Sequence, residues 1–175
     1  MRIIAGEFKS RIIKAPKGRR THPMSERIRG ALFNSLGDIN GVTFLDAYAG
    51  TGSVAIEALS RGAVDVHAVE INSDSFDILQ ENRNKITDDS RLKVHRANIK
   101  TWLKNVDIFF DVVVADPPYD KVSMNALELV ASYVVPGGIF IVSLPPAEHF
   151  AMKGLKMLDE KRYGNAKLVF YKKSK

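Results

Sequence analysis

Apolar and polar positions along this chain alternate between two periods. Ile28, Ala31, Leu32 and Leu36 recur at helical spacing behind Ser25 and ahead of Gly37, which predicts a helix capped by the serine and stopped by the glycine. Short apolar runs and helical patterns then take turns. "TFLDAYA" (43–49) predicts a strand, "SVAIEALSR" (53–61) a helix closed by Gly62, and "DVHAVEI" (65–71) a strand. Ser73 opens a helix to about Ile86, followed by the strand "LKVHRANI" (92–99) and a short helix around Trp102. "FFDVVVAD" (109–116) predicts a strand, "SMNALELVASYV" (123–134) a helix and "GIFIVSL" (138–144) a strand. Five strands separated by helices imply an α/β fold with a doubly wound parallel sheet. The ends differ. "RIIAGEFKSRIIKAP" predicts a small N-terminal β-hairpin, and "LKMLDEKRYGNAKLVFYKK" an antiparallel hairpin at the end of the sheet. No internal repeat, low-complexity segment or long linker interrupts the pattern.

Charge adds a second level of organisation. Residues 1–30 carry nine Lys/Arg against two Glu, residues 31–152 nine bases against sixteen acids, and residues 153–175 eight bases against two acids. An acidic middle therefore lies between two basic ends. Segregated positive charge is the footprint of a polyanion binder, although a merely solvated basic surface fits the charge alone equally well. No basic amphipathic helix points to a membrane surface. The 175 residues suit one domain, and no apolar run approaches the roughly 18–20 residues that span a bilayer. Charges come too early in "MRIIAGEFKSR" for a signal peptide, and cysteine is absent. That excludes disulfides, thiolate zinc sites and a cysteine nucleophile, and the expectation is a cytoplasmic protein. The four histidines show no metal-ligand spacing, so no metal is expected. Trp102 and Met24 read as packing residues.

Two motifs carry chemistry. "LDAYAGTGS" joins the first sheet strand to its helix, and Gly50 and Gly52 let backbone turn tightly against a ligand. "GTGSVA" also matches a variant of the dinucleotide fingerprint, which raises a nicotinamide site as an alternative. Asp46, four residues before Gly50, would repel a pyrophosphate. It suits a ligand with a cationic ammonium or sulfonium and no phosphate, and S-adenosylmethionine has both groups. Glu70, at the end of the second strand, suits ribose hydroxyls. Asn98 is placed for an adenine edge, with Ile71 or Ile99 against the ring face.

The second motif is "VVVADPPYDK" (112–121). Asp116 ends the fourth strand on the same rim as the glycine loop. Pro117 and Pro118 stiffen the chain and free backbone carbonyls from sheet pairing. Tyr119 can lay its ring on a flat heterocycle. An exocyclic amine on a nucleobase is a poor nucleophile because its lone pair is delocalised. A carboxylate and a carbonyl accepting both N–H groups would align it and favour the ammonium charge that develops.

"ADPPY" resembles the (D/N)-P-P-(Y/F) motif of S-adenosylmethionine-dependent amino methyltransferases. "RIIAGEFKSRIIKAPKG", "THPMSERIRGALFNSL", "LDAYAGTGSVAIEALSRGA" and "KRYGNAKLVFY" resemble successive blocks of the bacterial 16S ribosomal RNA guanine-N2 methyltransferase family, whose target is the guanine at position 966. The resemblance implies a seven-stranded Rossmann-like sheet with a C-terminal antiparallel hairpin. It divides the chain into an RNA-docking hairpin and loop (1–22) and a methyltransferase domain (23–175). It implies S-adenosylmethionine as cofactor, held by Asp46, Tyr48, Gly50, Gly52, Glu70, Ile71, Asn98 and Ile99, and S-adenosylhomocysteine as product. Catalysis falls to Asp116, Pro117, Pro118 and Tyr119. Arg2, Lys9, Arg11, Lys14, Lys17, Arg19 and Arg20 would meet phosphates, and Arg27 and Arg29 either line the cleft or lie on a solvated helix face. The implied partner is 16S ribosomal RNA within a small-subunit particle, met by a monomer with no membrane attachment. Tyr48 stands where the family commonly has Phe, and His22 replaces an arginine. Methylation of DNA adenine-N6 or cytosine-N4 shares the catalytic motif, but the chain has no room for a target-recognition domain. A non-catalytic binding module that keeps cofactor is the remaining alternative, and the intact "DPPY" weighs against it.

Overall fold

The computed structural model describes residues 1–15, 24–87, 90–148, 150–164 and 166–175. In chain order the helices are α1 (Glu26–Leu36), α2 (Ser53–Ser60), α3 (Ser73–Ile86), α4 (Ile99–Leu103) and α5 (Met124–Ser132). The strands are β1 (Thr43–Asp46), β2 (Asp65–Glu70), β3 (Leu92–Arg96), β4 (Phe110–Ala115), β5 (Val134–Leu144), β6 (Leu155–Tyr163) and β7 (Ala166–Lys173). They form one sheet in the order β3-β2-β1-β4-β5-β7-β6. β1 to β5 pair in parallel, while β7 runs antiparallel to both β5 and β6. This is the seven-stranded sheet that the resemblance implies, closed by the expected C-terminal hairpin.

Alternate strand residues feed two apolar layers, as the period-2 geometry of a strand requires. Phe44, Val66, Ala68, Val112 and Val114 join the layer under α1, α2 and α3. Leu45, Val69, Val113 and Ala115 join the layer under α4 and α5. Ser25 caps α1 through its hydroxyl, which accepts from Ile28 N at 3.3 Å, and Gly37 ends the helix with φ 76°. No described helix is long and apolar enough to cross a membrane.

The N-terminal segment forms a shorter hairpin than expected, with Ile3 N donating to Arg11 O and Ile13 N to Met1 O. Arg2 and Ile12 form a single antiparallel bridge with turns between them. The reason lies in α2, all eight of whose residues are buried. Its Glu57 accepts the backbone N–H of Ile4 (2.8 Å) and of Ala5 (3.0 Å), which ends the pairing beyond Ile3. Ser60 O accepts from Glu7 N, and Ser60 Oγ from Phe8 N. Gly6 sits at φ +82° with Ser60 O only 1.7 Å from where a Cβ would stand, so no other residue fits. Ile3, Phe8 and Ile13 complete the layer over α2. The described part of the segment is thus an arm clamped to the body.

Three boundaries also move. β1 ends at Asp46 rather than at residue 49. β3 ends at Arg96, because Asn98 turns away to cap α4. β5 begins at Val134, so residues 134–137 are strand rather than helix and loop.

Candidate active site

β1 has β2 on one side and β4 on the other, so the strand order reverses between β1 and β4. Ligands of open α/β sheets bind beyond the carboxyl ends of strands at such a switch point. Asp46 ends β1, and Asp116 directly follows β4.

Asp46 is buried at the last position of β1, and its Oδ2 accepts from Ala55 N, in the first turn of α2, at 3.1 Å. Burial, and next the nearby Asp116, push its pKa up to about 8, against the opposing bond from Ala55. Glu70 adds to the same repulsion. A carboxyl so placed favours a cationic ligand. Gly52, at φ 84°, turns the loop into α2, and a side chain there would also meet Leu79. Gly50 N donates to Glu70 Oε2 at 2.8 Å and Asn72 N to Oε1 at 2.7 Å. These bonds fix the carboxylate and leave it lone pairs for hydroxyl donors. Ile71 beside it is 61% exposed, an apolar side chain open on the rim, whereas Ile99 is buried. Asn98 Oδ1 is committed to Lys100 N at 2.9 Å. Tyr48 is half-buried next to the loop, and burial raises its phenol pKa. Thr51 Oγ1, in the loop itself, is buried with no hydrogen-bond partner among the described residues.

Asp116 follows β4, Pro117 is buried and Pro118 exposed, and Tyr119 opens a 3-10 turn through Lys121. Burial raises the Asp116 pKa to about 6, with the hydroxyl of Ser143 pulling the other way. The Tyr119 ring is 38% exposed while its hydroxyl lies 3.0 Å from Ser143 Oγ. Ser143 was not singled out from the sequence. Its only signal is a hydroxyl in the apolar run "GIFIVSL", at the end of the strand beside β4.

The expected RNA contacts separate. Lys9 and Arg27 are exposed. Arg2 pairs with Glu26 at 3.8 Å and Lys14 with Glu81 at 2.6 Å. Arg11 lies over the Phe8 ring and donates to Ile86 O. Lys17, Arg19 and Arg20 lie outside the described residues. Arg29 is a correction. It is fully buried, paired with Glu57 at 3.5 Å, and donates to Met24 O and Arg2 O. It cannot line a cleft or meet a phosphate, because it binds the arm to α1 and α2. Among the described residues no cluster of three or more His, Cys, Asp or Glu could hold a metal ion.

The residues present fit S-adenosylmethionine: a buried carboxyl group that a cation would ionise, a fixed carboxylate for hydroxyls, an exposed Ile for a ring face and, among the described residues, no cation for a phosphate at the loop. A family model described as Conserved hypothetical protein 95 matches residues 1–172. Ribosomal RNA small subunit methyltransferase D of Buchnera aphidicola subsp. Acyrthosiphon pisum is 33% identical over 132 residues, 72% of this chain and 69% of the relative. The tRNA1(Val) (adenine(37)-N6)-methyltransferase of Shigella boydii is 34% identical over 93 residues, 51% of this chain and 38% of that protein. The crystal structure of HI0767 from Haemophilus influenzae, a methylase candidate, superposes with a TM-score of 0.81 at 26% identity, covering 99% of this chain and 98% of that one.

Proposed function

The chain belongs to the Conserved hypothetical protein 95 family, and from that premise we propose that it methylates the exocyclic N2 amine of a guanine in 16S ribosomal RNA, of the position-966 type. The observation that carries the reading is the pair of carboxyl groups at the switch point. Asp46 on β1 lies within the field of Asp116 after β4, yet each has its own surroundings. Asp46 is buried against the glycine loop and suits a cationic cofactor. Asp116 sits beside an exposed aromatic ring and suits a heterocyclic amine.

Asp46, the Gly50–Gly52 loop and Glu70 would hold S-adenosylmethionine, which supplies an electrophilic methyl group when bound. Asp116 and the carbonyl of Pro117 accept the two amine hydrogens. That fixes the direction of the nitrogen lone pair and favours positive charge on the nitrogen. Tyr119 supports the base with its ring. With a pKa of about 6, Asp116 is mostly ionised at neutral pH and can take up the released proton before passing it to water. No described group is needed as a metal ligand. The substrate is a small-subunit particle and the enzyme a cytoplasmic monomer in this reading.

The Shigella relative favours a second reading, an adenine N6 amine in RNA, because the same grip serves either amine. Incubation with labelled S-adenosylmethionine and small-subunit particles from a strain lacking the enzyme, followed by nucleoside analysis, decides. N2-methylguanine in 16S RNA is expected. N6-methyladenine supports the second reading, and no label in RNA overturns both.

A further inference from the structure

The basic arm and the Gly50–Gly52 loop serve different ligands in this reading, yet one buried side chain holds both. Asn82, on α3, is fully buried. Its Oδ1 accepts from Lys14 N at 2.7 Å, and its Nδ2 donates to Lys14 O at 3.0 Å and to Thr51 O at 2.9 Å. These partners fix the orientation of the amide, because a backbone N–H only donates and a carbonyl only accepts. A primary amide meets that demand in full. A carboxylate lacks the donors, and a hydroxyl has only one.

The tie is anchored at both ends. Lys14 lies at the end of the described arm, ahead of Lys17, Arg19 and Arg20 in the sequence. Arg11 donates to Ile86 O, one turn beyond Asn82, so α3 carries this end of the arm at two points. At the other end, Leu79, one turn before Asn82, packs so closely on Gly52 that a Cβ there would stand 2.2 Å from Leu79 Cδ1. Thr51 Oγ1 is buried without a hydrogen-bond partner among the described residues. The loop is therefore held in place by its other bonds against the cost of that hydroxyl, and the bond from Asn82 is one of them.

We infer that Asn82 is a positioning residue that links the Gly50–Gly52 loop to the basic arm, so that ordering either one orders the other through a single amide. This rests on the cofactor and RNA readings above. A loop filled by cofactor fixes Thr51, and through Asn82 it fixes Lys14. An arm already fixed loses less entropy when RNA docks. By linkage, RNA on the arm raises cofactor affinity by the same factor.

The test uses the full-length chain, its Asn82→Asp, Asn82→Ala and Glu81→Ala variants, and S-adenosylhomocysteine as a ligand that cannot turn over. Asn82→Asp keeps the size and the acceptor for Lys14 N but removes both donors at neutral pH. Glu81→Ala removes only the exposed ion pair to Lys14 Nζ. Hydrogen exchange at saturating ligand, followed by NMR, reads single amides. Phe110 N–H, bonded to Tyr133 O at the amino end of β4, reports general stabilisation by the ligand. In the wild type, the ligand should slow exchange of Lys14 N–H about tenfold more than that of Phe110 N–H. In both Asn82 variants that excess should vanish, while slowing persists at Gly52 N–H, which bonds to Ala49 O within the loop. Glu81→Ala should keep the excess. A merely structural role for Asn82 would speed exchange broadly and would not remove one ligand response at saturation. Small-subunit particles from a strain lacking the enzyme should raise S-adenosylhomocysteine affinity about tenfold in the wild type and less than about twofold in Asn82→Asp. No excess slowing at Lys14 in the wild type overturns the link, whether or not the variants fold. So does an excess that survives in either Asn82 variant, or bound particles that change ligand affinity equally in wild type and Asn82→Asp. If the excess follows Asn82 but the particles do not bind, the link between arm and loop stands and the RNA reading falls. If the ligand does not bind the wild type, the cofactor reading falls and the link with it.

Discussion

At Asp46 the chain buries a carboxyl group whose charged form is disfavoured by desolvation and by two neighbouring carboxyls. With a folded pKa near 8, the free protein holds a proton there at neutral pH. A cationic cofactor favours the ionised form, so its binding should release that proton. Affinity should then rise with pH by up to about tenfold per unit, over a range that stays below about pH 7 to keep an α-amino group charged. Calorimetry in buffers of different ionisation enthalpy reads the proton directly, and Asp46→Asn should abolish the release. Affinity independent of pH would remove Asp46 from the neighbourhood of the cofactor's charge. On the other strand, Asp116→Ala should leave cofactor binding intact and slow single-turnover transfer by roughly a hundredfold or more. Glu70→Ala should weaken cofactor binding by about 1–3 kcal/mol. Part of that loss comes from freeing the N–H groups of Gly50 and Asn72.

The element that organises the fold is α2. Its N-terminus gives Asp46 a backbone donor, and its far side carries Glu57, which receives Ile4 N, Ala5 N, Arg29 Nε and Arg61 Nε. Four donors on one buried carboxylate satisfy its lone pairs, which is the condition under which burial of charge is tolerated. Glu57→Ala would leave the Arg29 guanidinium buried without its counter-charge. We expect a loss of about 3–5 kcal/mol in urea denaturation, with Gly6→Ala also destabilising because its Cβ meets Ser60 O. A loss below about 1 kcal/mol in Glu57→Ala, the range of an exposed ion pair, would show that the arm is not clamped as described. A second bridge runs through α3. Asn82, fully buried, exchanges hydrogen bonds with Lys14 and donates to Thr51 O in the Gly50–Gly52 loop at 2.9 Å.

Across the whole molecule, the basic N-terminal segment is partly neutralised by its own packing. Deleting it to test RNA docking would strip Ile3, Phe8 and Ile13 from the core, so the truncated chain should fail to fold cooperatively. Surface changes are the better probe. Lys9→Glu with Arg27→Glu should weaken RNA binding, spare cofactor binding, and flatten the salt dependence by about 0.7 to 0.9 log units for each phosphate no longer neutralised. An unchanged affinity and slope would move the docking surface to the basic C-terminal strands. Acid stability is set elsewhere. His67 and His95 stack with rings 5.1 Å apart on the α4 face, beside Trp102. Burial lowers both pKa values, that of His95 to about 4. The unfolded chain therefore binds more protons between pH 6.5 and about 4, and the stability these groups contribute above 6.5 is lost as pH falls through that window. Asp46 and Asp116, with raised values, act in the opposite sense. Melting temperatures against pH for the wild type and His95→Gln isolate the histidine part, and parallel curves would refute it.

Much of this was legible in the chain because it depends on local periodicity. Strands alternating with helices fixed a parallel sheet, and the rule that ligands meet such a sheet at its carboxyl rim brought "LDAYAGTGS", Glu70 and "DPPY" together before any coordinates. Glycine and proline carry their conformational limits with them, so both loops could be read as ligand-facing. What the sequence did not determine was which polar residues would be buried, because burial depends on what the tertiary structure lays over them. "SVAIEALS" has the pattern of a helix with one wet face, and only the arm folded across it makes Glu57 a buried acceptor and Arg29 its partner rather than an RNA contact. The arm's own β pattern keeps only a short run of cross-chain bonds, from Ile3 N to Arg11 O and from Ile13 N to Met1 O, before Ile4 and Ala5 turn to that same carboxylate. Ser143 gains Tyr119 as a neighbour only when β5 lies against β4, a pairing between residues more than twenty positions apart in the chain. Local spacing selects elements, and long-range packing decides which side chains lose water and whom they must then bond.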